Sequence, residues 1–182
     1  RAKARLKFLV KDWGVVKFRQ VLEEEYLGRP LLDGPAPTPP PAGERDPIGV
    51  HRQRDGRVYV GAATPVGRTN AETLARVADL ADEHGRGRLR LTAWQNLVLL
   101  DVDPAASAAV AAELDDLGLR TAPTPFRRSA MACTGIEFCK LAISETKART
   151  AELVGHLEEA LPDFTSPIAI HVNGCPNSCA RF

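Results

Sequence analysis

The stretch RVYVGAATPVGRTNAETLARVADLADEHG, from Arg57 to Gly85, contains the change of pattern that indicates the fold. Its first letters, RVYVGAA, predict a β-strand. The letters TNAETLARVADLADEHG predict a helix, with Thr69 as its N-cap residue and Glu72 three residues later completing a capping box. Gly85 is the expected stop after the last turn of that helix. The stretch therefore predicts a strand followed by a helix.

Two further strands and a second helix follow. RLRLT at 88–92 and NLVLLDV at 96–102 predict strands on either side of a turn, AWQ. Asp103 is the expected cap of the next helix, with Pro104 at its first position, and this Ala-rich helix is expected to run to Gly118. The order strand, helix, strand, strand, helix is most of a split βαβ, ferredoxin-like unit, with its helices on one face of a largely antiparallel sheet. Neither G-x-G-x-x-G nor a Walker loop occurs, so a nucleotide site is not predicted.

A helical segment and a proline-rich connector precede this unit. Residues from about 3 to 27 have the apolar spacing of a helix, with an interruption expected near Gly14. The connector DGPAPTPPPAGERDP runs from Asp33 to Pro47. Neither a helix nor a central strand can pass through it, because proline lacks a backbone N–H and fixes φ. The connector is therefore expected to separate the helical lead from the next unit.

The composition limits the class of protein and the partners. The chain has 182 residues, of which 44% are hydrophobic and 26% charged, as in an ordinary globular protein of one medium domain or two small units. Basic and acidic residues number 24 and 23, so a nucleic-acid partner is not expected. The sequence has no signal-peptide h-region and no apolar run near the ~18 residues of a membrane-spanning helix. We therefore predict a cytoplasmic protein with no membrane partner.

Four cysteines stand in two close pairs in the last third of the chain. Cys133 and Cys139 lie in ACTGIEFC, and Cys175 and Cys179 lie in CPNSC. So uneven a distribution indicates coordinated thiolates. Structural disulfides are disfavoured because the cytosol keeps thiols reduced. Two alternatives stay open at this point, namely buried thiols with no shared role and a zinc ion held by four thiolates.

The spacing of the first pair favours a [4Fe–4S] cluster over zinc. Five residues separate Cys133 from Cys139, whereas zinc knuckles use spacings of about two to four. A wider loop suits a larger object whose corners are farther apart, with one thiolate for each iron. Gly135 and Gly174 can adopt positive φ and so turn backbone N–H groups toward sulfur. An iron–sulfur site is the prediction that these residues support best.

Two secondary-structure elements are predicted beside the cysteines. KLAISETKARTAELVGHLEEAL, residues 140–161, predicts a helix that ends before Pro162 and whose N-terminus favours anionic thiolates. SPIAIHV, residues 166–172, predicts a short buried strand that delivers the chain into the second cysteine loop. His171 on this strand is expected to be a packed side chain rather than a haem ligand.

The residues around the cysteines resemble a known family. MACTGIEFCKLAISETKAR at 131–149, followed by HVNGCPNSCAR at 171–181, resembles the cluster region of the siroheme-dependent nitrite and sulfite reductases. In that family the pattern is C-x5-C, then G-C-P-N-x-C a few dozen residues later. GVHRQRDGRVYVGAATPVGR and GRGRLRLTAWQNLVLLDV resemble the second of the family's two ferredoxin-like half-domains. The letters of residues 1–28 resemble the helical segment before it.

This resemblance implies cofactors, a reaction and a partner. Cys133, Cys139, Cys175 and Cys179 are expected to hold a [4Fe–4S] cluster, with the sulfur of Cys179 also the axial ligand of a siroheme iron. The implied reaction is the six-electron reduction of sulfite to sulfide, or of nitrite to ammonia, with electrons from ferredoxin or a similar donor. The anion-binding Arg and Lys residues of the family are expected outside this chain, so no catalytic residue is assigned. The chain is interpreted as an internal fragment that is inactive by itself.

Several polar residues are candidates for contacts with siroheme. Asn177, beside Cys179, resembles a family residue near the siroheme periphery, and an Asn that tolerates a tight turn is the alternative. Thr92, Gln95 and Asn96 lie in LTAWQN, a turn that faces the macrocycle in similar proteins, and simple turn formation is again the alternative. Basic residues that could pair with siroheme carboxylates flank the cysteine loops. They are Arg127, Arg128, Lys140 and Arg181.

The fold expected from pattern and resemblance is of the α+β class. A ferredoxin-like half-domain would be followed by the truncated start of the α/β domain that binds cluster and siroheme. The expected boundaries are a helical lead at 1–34, a proline-rich linker at 35–47, the half-domain at 48–122 and the cluster domain at 123–182. Sulfite is slightly favoured over nitrite as the substrate. Two other functions stay open, namely a related precorrin-modifying enzyme with the same cysteine pattern and a non-catalytic zinc or iron–sulfur module.

Overall fold

The chain forms two compact units, Arg1–Glu44 and Arg45–Phe182. The structure is a computed structural model that describes residues 6–35, 38 and 46–180. Most of the proline-rich connector and Arg181, one of the basic residues considered above, lie outside the described residues. No helix in the described part of the chain is both long enough and apolar enough to cross a membrane.

The first unit is helical. Helix α1 spans Leu6–Val21 and continues into a π-helical turn, Leu22–Leu27. The predicted interruption is confirmed, because Gly14 has a φ of 78° and a ψ of 160°, which no helical residue adopts. Arg19 donates to Glu23 at 2.7 Å across one turn. No described residue of either helical segment is buried, so the predicted apolar stripe has no core of its own within the described part of this unit.

A four-stranded antiparallel sheet organises the second unit. The strands are β1, Gly49–Arg52, β2, Val58–Ala62, β3, Leu89–Leu91, and β4, Leu97–Val102. They lie in the order β1-β2-β4-β3, and every neighbouring pair is antiparallel. Strands β2, β3 and β4 were predicted, whereas β1 was not assigned from its local pattern. Strand β1 is an edge strand with half its residues exposed, so its apolar signal is weak.

The first helix of this unit, α2, spans Ala71–His84. The prediction that Thr69 caps it is wrong, because Asn70 is the N-cap residue and its side-chain oxygen accepts from the backbone N–H of Thr73 at 2.7 Å. An amide oxygen at this position meets the same unpaired N–H groups that a threonine hydroxyl would. The predicted stop is confirmed, with Gly85 directly after the last helical residue.

The second helix, α3, spans Ser107–Asp116 and is entered through a 3₁₀ turn, Pro104–Ala106. Asp103 caps this turn, as predicted, because its carboxylate accepts from the N–H of Ala105 at 2.9 Å. The chain leaves the helix at Gly118, whose φ of 81° is the left-handed conformation that glycine tolerates best.

Both helices cover one face of the sheet. Side chains two residues apart on a strand point to the same face, and Val58, Val60 and Ala62 of β2 share one apolar cluster with α2 and α3. Burying each large side chain contributes roughly 1.5–3 kcal/mol relative to leaving it exposed. The cluster consists of Val58, Val60, Ala62, Val77, Leu80, Ala81, Leu97, Leu99, Val102, Val110, Leu114 and Leu119. This arrangement matches the α+β fold that was expected.

The remaining elements surround the cysteine loops. They are helix α4, Pro125–Arg128, strand β5, Ala130–Ala132, helix α5, Lys147–Ala160, and strand β6, Ile170–Val172. Strands β5 and β6 form a separate two-stranded parallel sheet. Strand β6 is shorter than predicted and half-buried rather than buried.

Helix α5 begins later than its sequence pattern predicts. Residues 140–146 are not helical. Ala142 donates to the carbonyl of Cys139 at 3.0 Å, and Ile143 donates to Gly174 in the second cysteine loop at 2.8 Å. A tertiary hydrogen bond has therefore replaced the first turns of the expected helix.

Candidate metal centre

The parallel pairing of β5 and β6 brings the two cysteine loops together. Ala132 pairs with Val172, and the N–H of Cys133 donates to the carbonyl of Val172 at 3.0 Å. Both loops leave the carboxyl ends of their strands, which lie at the same edge because the strands are parallel. Cys133 follows β5 directly, and Cys175 lies shortly after β6. The first cysteine of each pair is therefore positioned by the sheet.

Gly174 joins the two loops. Its backbone N–H points at the sulfur of Cys133 across 3.2 Å, and its carbonyl accepts from Ile143. A methyl group in place of its hydrogen would lie 3.0 Å from the carbonyl oxygen of Ser144 and 3.1 Å from the Cβ of Ala142. The glycine is needed for close approach rather than for its φ, which is not in the left-handed range.

Thr146 anchors the backbone of the first cysteine loop. It is fully buried, and its hydroxyl donates to the carbonyl oxygen of Cys133 at 2.6 Å. Gly135 has the predicted positive φ, 74°, and a methyl group there would lie 2.6 Å from the Thr146 hydroxyl oxygen. Thr146, the residue directly before α5, therefore contacts Cys133. The helix that was predicted to begin at residue 140 begins only after this contact.

The surroundings of Cys133 favour its thiolate. Partial burial opposes ionisation, but the N–H groups of Gly174 and Gly135 outweigh it, with help from the Thr146 hydroxyl and the Lys147 ammonium. Together these groups lower the pKa of the Cys133 thiol below its usual value. Hydrogen bonds from backbone N–H groups to sulfur are also what stabilises thiolate ligands of iron–sulfur clusters.

The other three cysteines lie on the turns of the same two loops. Cys139 donates its N–H to the carbonyl of Gly135 at 3.0 Å, and Cys175 accepts from the N–H of Ser178 at 3.3 Å. Cys179 is exposed, and none of the four cysteines is in a disulfide bond. Asn173 closes the second loop, because its side-chain oxygen accepts from the N–H of Ala180 at 2.7 Å.

The described cysteines do not form a site for a single metal ion. Across residues 6–35, 38 and 46–180, no three side chains of His, Cys, Asp or Glu are close enough together to hold a metal ion. The donor chemistry nevertheless fits an iron–sulfur cluster, because four thiols lie on two loops that are hydrogen-bonded to each other. An N–H group already points at one of these sulfurs. The assignment of the four cysteines as ligands stays a prediction.

Gln95 and Asn96 lie at the turn before β4, and their side chains bind backbone groups. Gln95 has a φ of 62°, and its amide nitrogen donates to the carbonyl of Ala132 at 2.8 Å. The Asn96 side chain is buried, and its oxygen accepts from the N–H of Thr64 at 3.0 Å. Thr92 accepts from the N–H of Asn96 at 3.1 Å. Contacts of Gln95 and Asn96 with siroheme therefore stay predictions, alongside this role in the turn.

The other candidates differ in their surroundings. Asn177 is half-buried on the turn between Cys175 and Cys179. Arg127 donates to Glu158 of α5 at 2.6 Å, and Arg128 pairs with Asp46, so neither guanidinium is without a carboxylate partner. Lys140 is exposed beside Cys139.

Two contributors were missed by reading residues 140–161 as one helix. Thr146 fixes the first cysteine, and Glu145 caps α5 by accepting from the N–H groups of Ala148 and Arg149 at 3.0 and 2.9 Å. The letters SET before KAR contained the signal, because a Ser, Thr or acidic residue before a periodic run is typical of a helix start.

The segment from β2 to α3 matches a described family model. Residues 51–117 match the model of the nitrite/sulfite reductase ferredoxin-like half domain. This segment is similar to that half domain over 51–117. This match covers β2, α2, β3, β4 and α3, and it confirms the resemblance and the half-domain fold that the sequence predicted.

The similarity to nitrite and sulfite reductases extends beyond this half domain to the whole chain. The chain is 52% identical to the sulfite reductase [ferredoxin] of Mycobacterium tuberculosis strain H37Rv, and the alignment covers all of this chain and 33% of that protein. It is 40% identical to the ferredoxin–nitrite reductase of Synechococcus elongatus, covering all of this chain and 35% of that protein. The chain thus spans about a third of the length of these curated relatives.

A solved structure agrees with the fold. The structure of the Mycobacterium tuberculosis NirA protein matches all of this chain with a TM-score of 0.90 and 51% identity, and the match covers 34% of the NirA chain. The half domain and the cysteine loops are therefore both within the matched region.

Proposed function

We propose that this chain is part of a ferredoxin-dependent sulfite reductase and that it supplies the ligands of a [4Fe–4S] cluster. The observation that carries the proposal is the hydrogen bond from Gly174 to the sulfur of Cys133, because it joins the two cysteine loops of a chain similar to such reductases throughout. Sulfite is preferred to nitrite because identity is higher to the sulfite reductase than to the nitrite reductase.

Each cysteine has a proposed part. Cys133, Cys139, Cys175 and Cys179 would hold the cluster, and Cys179 would also hold the siroheme. When bound, the two cofactors would supply single electrons to a coordinated oxyanion, six in all from sulfite to sulfide. Cys179 is the most exposed of the four thiols, which supports its assignment to the position facing a second cofactor.

The residues of this chain would mainly orient and stabilise these ligands. Gly174 and Gly135 would keep donating to the Cys133 sulfur in the bound state, since a thiolate ligand accepts such bonds better than a thiol. Thr146 would fix the backbone of Cys133 relative to α5 through its hydrogen bond to the Cys133 carbonyl. Asn177, Gln95 and Asn96 are the proposed contacts with the siroheme periphery.

The proposal also covers the partner and the compartment. Ferredoxin is named as the donor for both curated relatives, and it is the proposed donor here. A cytoplasmic location is proposed because a reducing compartment keeps four cysteines available as thiolates, whereas an oxidising one would favour disulfides.

The test is a reconstitution of the full-length protein under anaerobic conditions, followed by absorption spectroscopy and assays with sulfite, nitrite and a precorrin. We expect coupled siroheme and cluster bands, four irons per cluster, and turnover of sulfite to sulfide in preference to nitrite. A colourless protein that binds zinc would overturn the proposal in favour of a structural module. Turnover of a precorrin without reduction of either oxyanion would overturn it in favour of the corrin-pathway enzyme.

A matched pair of variants tests the shared ligand. Cys179→Ser should remove the coupling between siroheme and cluster bands and abolish turnover. Ser178→Ala, one residue earlier on the same turn, should keep both. Near-normal turnover by Cys179→Ser would contradict the bridging role.

A further inference from the structure

Two turns of the half domain have unusual backbone conformations at residues that contact the same lysine. Val66, in the 3₁₀ turn Pro65–Gly67, has a φ of 47°, and Gln95 has a φ of 62°. A β-branched residue in the left-handed region is a genuine outlier, so surrounding contacts must hold it there. Such strain is common where a turn has to present a group in a fixed position.

Lys147, the first residue of α5, contacts both turns. Its ammonium donates to the carbonyl of Val66 and, at 3.2 Å, to the side-chain oxygen of Gln95. Gln95 in turn donates to the carbonyl of Ala132, the residue directly before Cys133. The Gln95 side chain therefore links the lysine to the backbone next to the first cysteine. Thr146, the residue before Lys147, also binds the Cys133 carbonyl.

The positive charge of Lys147 has no carboxylate partner within the described residues, since no ion pair found there includes it. Arg68, whose charge acts on Lys147, is also positive and is itself paired with Glu137. Lys147 is half-buried, so solvent screens its charge less than that of an exposed residue. Burial and then the Arg68 charge lower the pKa of Lys147 below its ordinary value, and the Cys133 thiolate opposes this shift in part.

We infer that Lys147 is a positioning residue for the first cysteine loop and that its uncompensated charge raises the reduction potential of the cluster. The inference rests on the proposed function, since it requires a cluster on Cys133. An added electron makes the cluster more negative, so a nearby fixed cation stabilises the reduced state more than the oxidised state. The two strained turns keep this cation in place because they supply both of its oxygen acceptors.

The test is an EPR-monitored redox titration of the reconstituted full-length protein. Lys147→Gln keeps a hydrogen-bond donor and removes the charge, so the cluster potential should become more negative. Lys147→Arg keeps the charge, and its potential should stay near that of the wild type. Arg149→Gln, which removes an exposed charge of α5 that pairs with Glu152, is the matched control and should cause no shift.

The outcomes separate this inference from the proposed function. A wild-type protein that binds no cluster would overturn the proposed function and the inference with it. If the wild type binds a cluster and Lys147→Gln has the same cluster potential as the wild type, the inference alone is overturned. A purely structural role predicts a lower unfolding temperature without a shift in potential, and that result also overturns it. Should Lys147→Gln not fold, Lys147→Met is the second neutral variant, with the same expected shift.

Discussion

The backbone N–H of Gly174 lies 3.2 Å from the sulfur of Cys133, 41 positions earlier in the chain. This contact depends on the parallel pairing of β5 with β6, which aligns the starts of the two cysteine loops. It also depends on the absence of a side chain at Gly174, since the carbonyl of Ser144 lies directly beside it. The docking of the two loops is therefore open to a direct test.

Gly174→Ala should separate the loops. The added methyl group would lie 3.0 Å from the Ser144 carbonyl oxygen, and overpacking of this kind destabilises by about 1–3 kcal/mol. The free energy of unfolding measured with denaturant should decrease, and so should the iron content after reconstitution. The control is Gly155→Ala inside α5, where a methyl group meets nothing within 4 Å and should stabilise by about 0.5–1 kcal/mol. Equal stabilities for the two variants would contradict the docking.

Thr146→Val should make the Cys133 thiol less acidic. The hydroxyl of Thr146 is one of the groups that lower the pKa of this thiol, and valine keeps its shape without the donor. In cluster-free protein, the pH at which Cys133 is half-maximally alkylated should rise. Exposed Thr134, the next residue after Cys133, provides the control, because Thr134→Val should leave the alkylation profile in place.

The same pKa shift has a consequence for stability. Because the folded-state pKa of Cys133 is lowered, the thiolate stabilises the folded protein above the pKa of the unfolded thiol, and this contribution is lost as the pH falls through the folded pKa. The cluster-free protein should therefore gain stability as the pH rises through this window. The stability of Thr146→Val should increase less over the same pH range, as measured by thermal unfolding.

Prediction from sequence succeeded where one local pattern determined the element. Strands β2 and β4 were found because nearly all of their residues are buried, so apolar residues dominate their sequence. The Asp103 cap and the Gly85 stop were found because each depends only on its own neighbours in the chain. The family was found because the cysteine spacing is a local property of two short segments.

Prediction failed where a distant contact decided the outcome. The sequence of residues 140–146 is typical of a helix, but the backbone N–H of Ile143 donates to the carbonyl of Gly174 instead of to a carbonyl of its own helix. The links from Lys147 to Val66 and Gln95 join segments that no periodicity relates. The choice of Asn70 over Thr69 as the cap was missed for another reason, because two adjacent residues both had suitable side chains.

Variants of these two residues should give unequal effects. Asn70→Ala removes the oxygen that accepts from the N–H of Thr73, and loss of such a cap costs about 1 kcal/mol. Thr69→Ala should change stability by less than half as much, since Thr69 lies outside the helix. Denaturant unfolding of the two variants measures the difference. A larger loss for Thr69→Ala would show that the capping box predicted from sequence forms after all.

Arg88→Met should destabilise the protein at neutral pH and have less effect in acid. Asp101 on β4 has only 1% of its surface exposed, and Arg88 and Gln53 both donate to its carboxylate. These hydrogen bonds, the one from Arg88 first, lower the pKa of Asp101 despite its burial. The pair therefore stabilises the fold above the ordinary carboxyl pKa, and this contribution is lost as the pH falls through the lower, folded value.

Thermal unfolding at a series of pH values measures this effect, with Arg86→Met as the control. Arg86 is 60% exposed and lies 3.9 Å from Asp55, so its removal should change the unfolding temperature little at any pH. For Arg88→Met, the unfolding temperature should be lowest relative to wild type near neutrality, and the two curves should approach each other as Asp101 is protonated. A difference that stays constant from neutral to strongly acidic pH would mean that Arg88 stabilises through its aliphatic stem rather than through its charge.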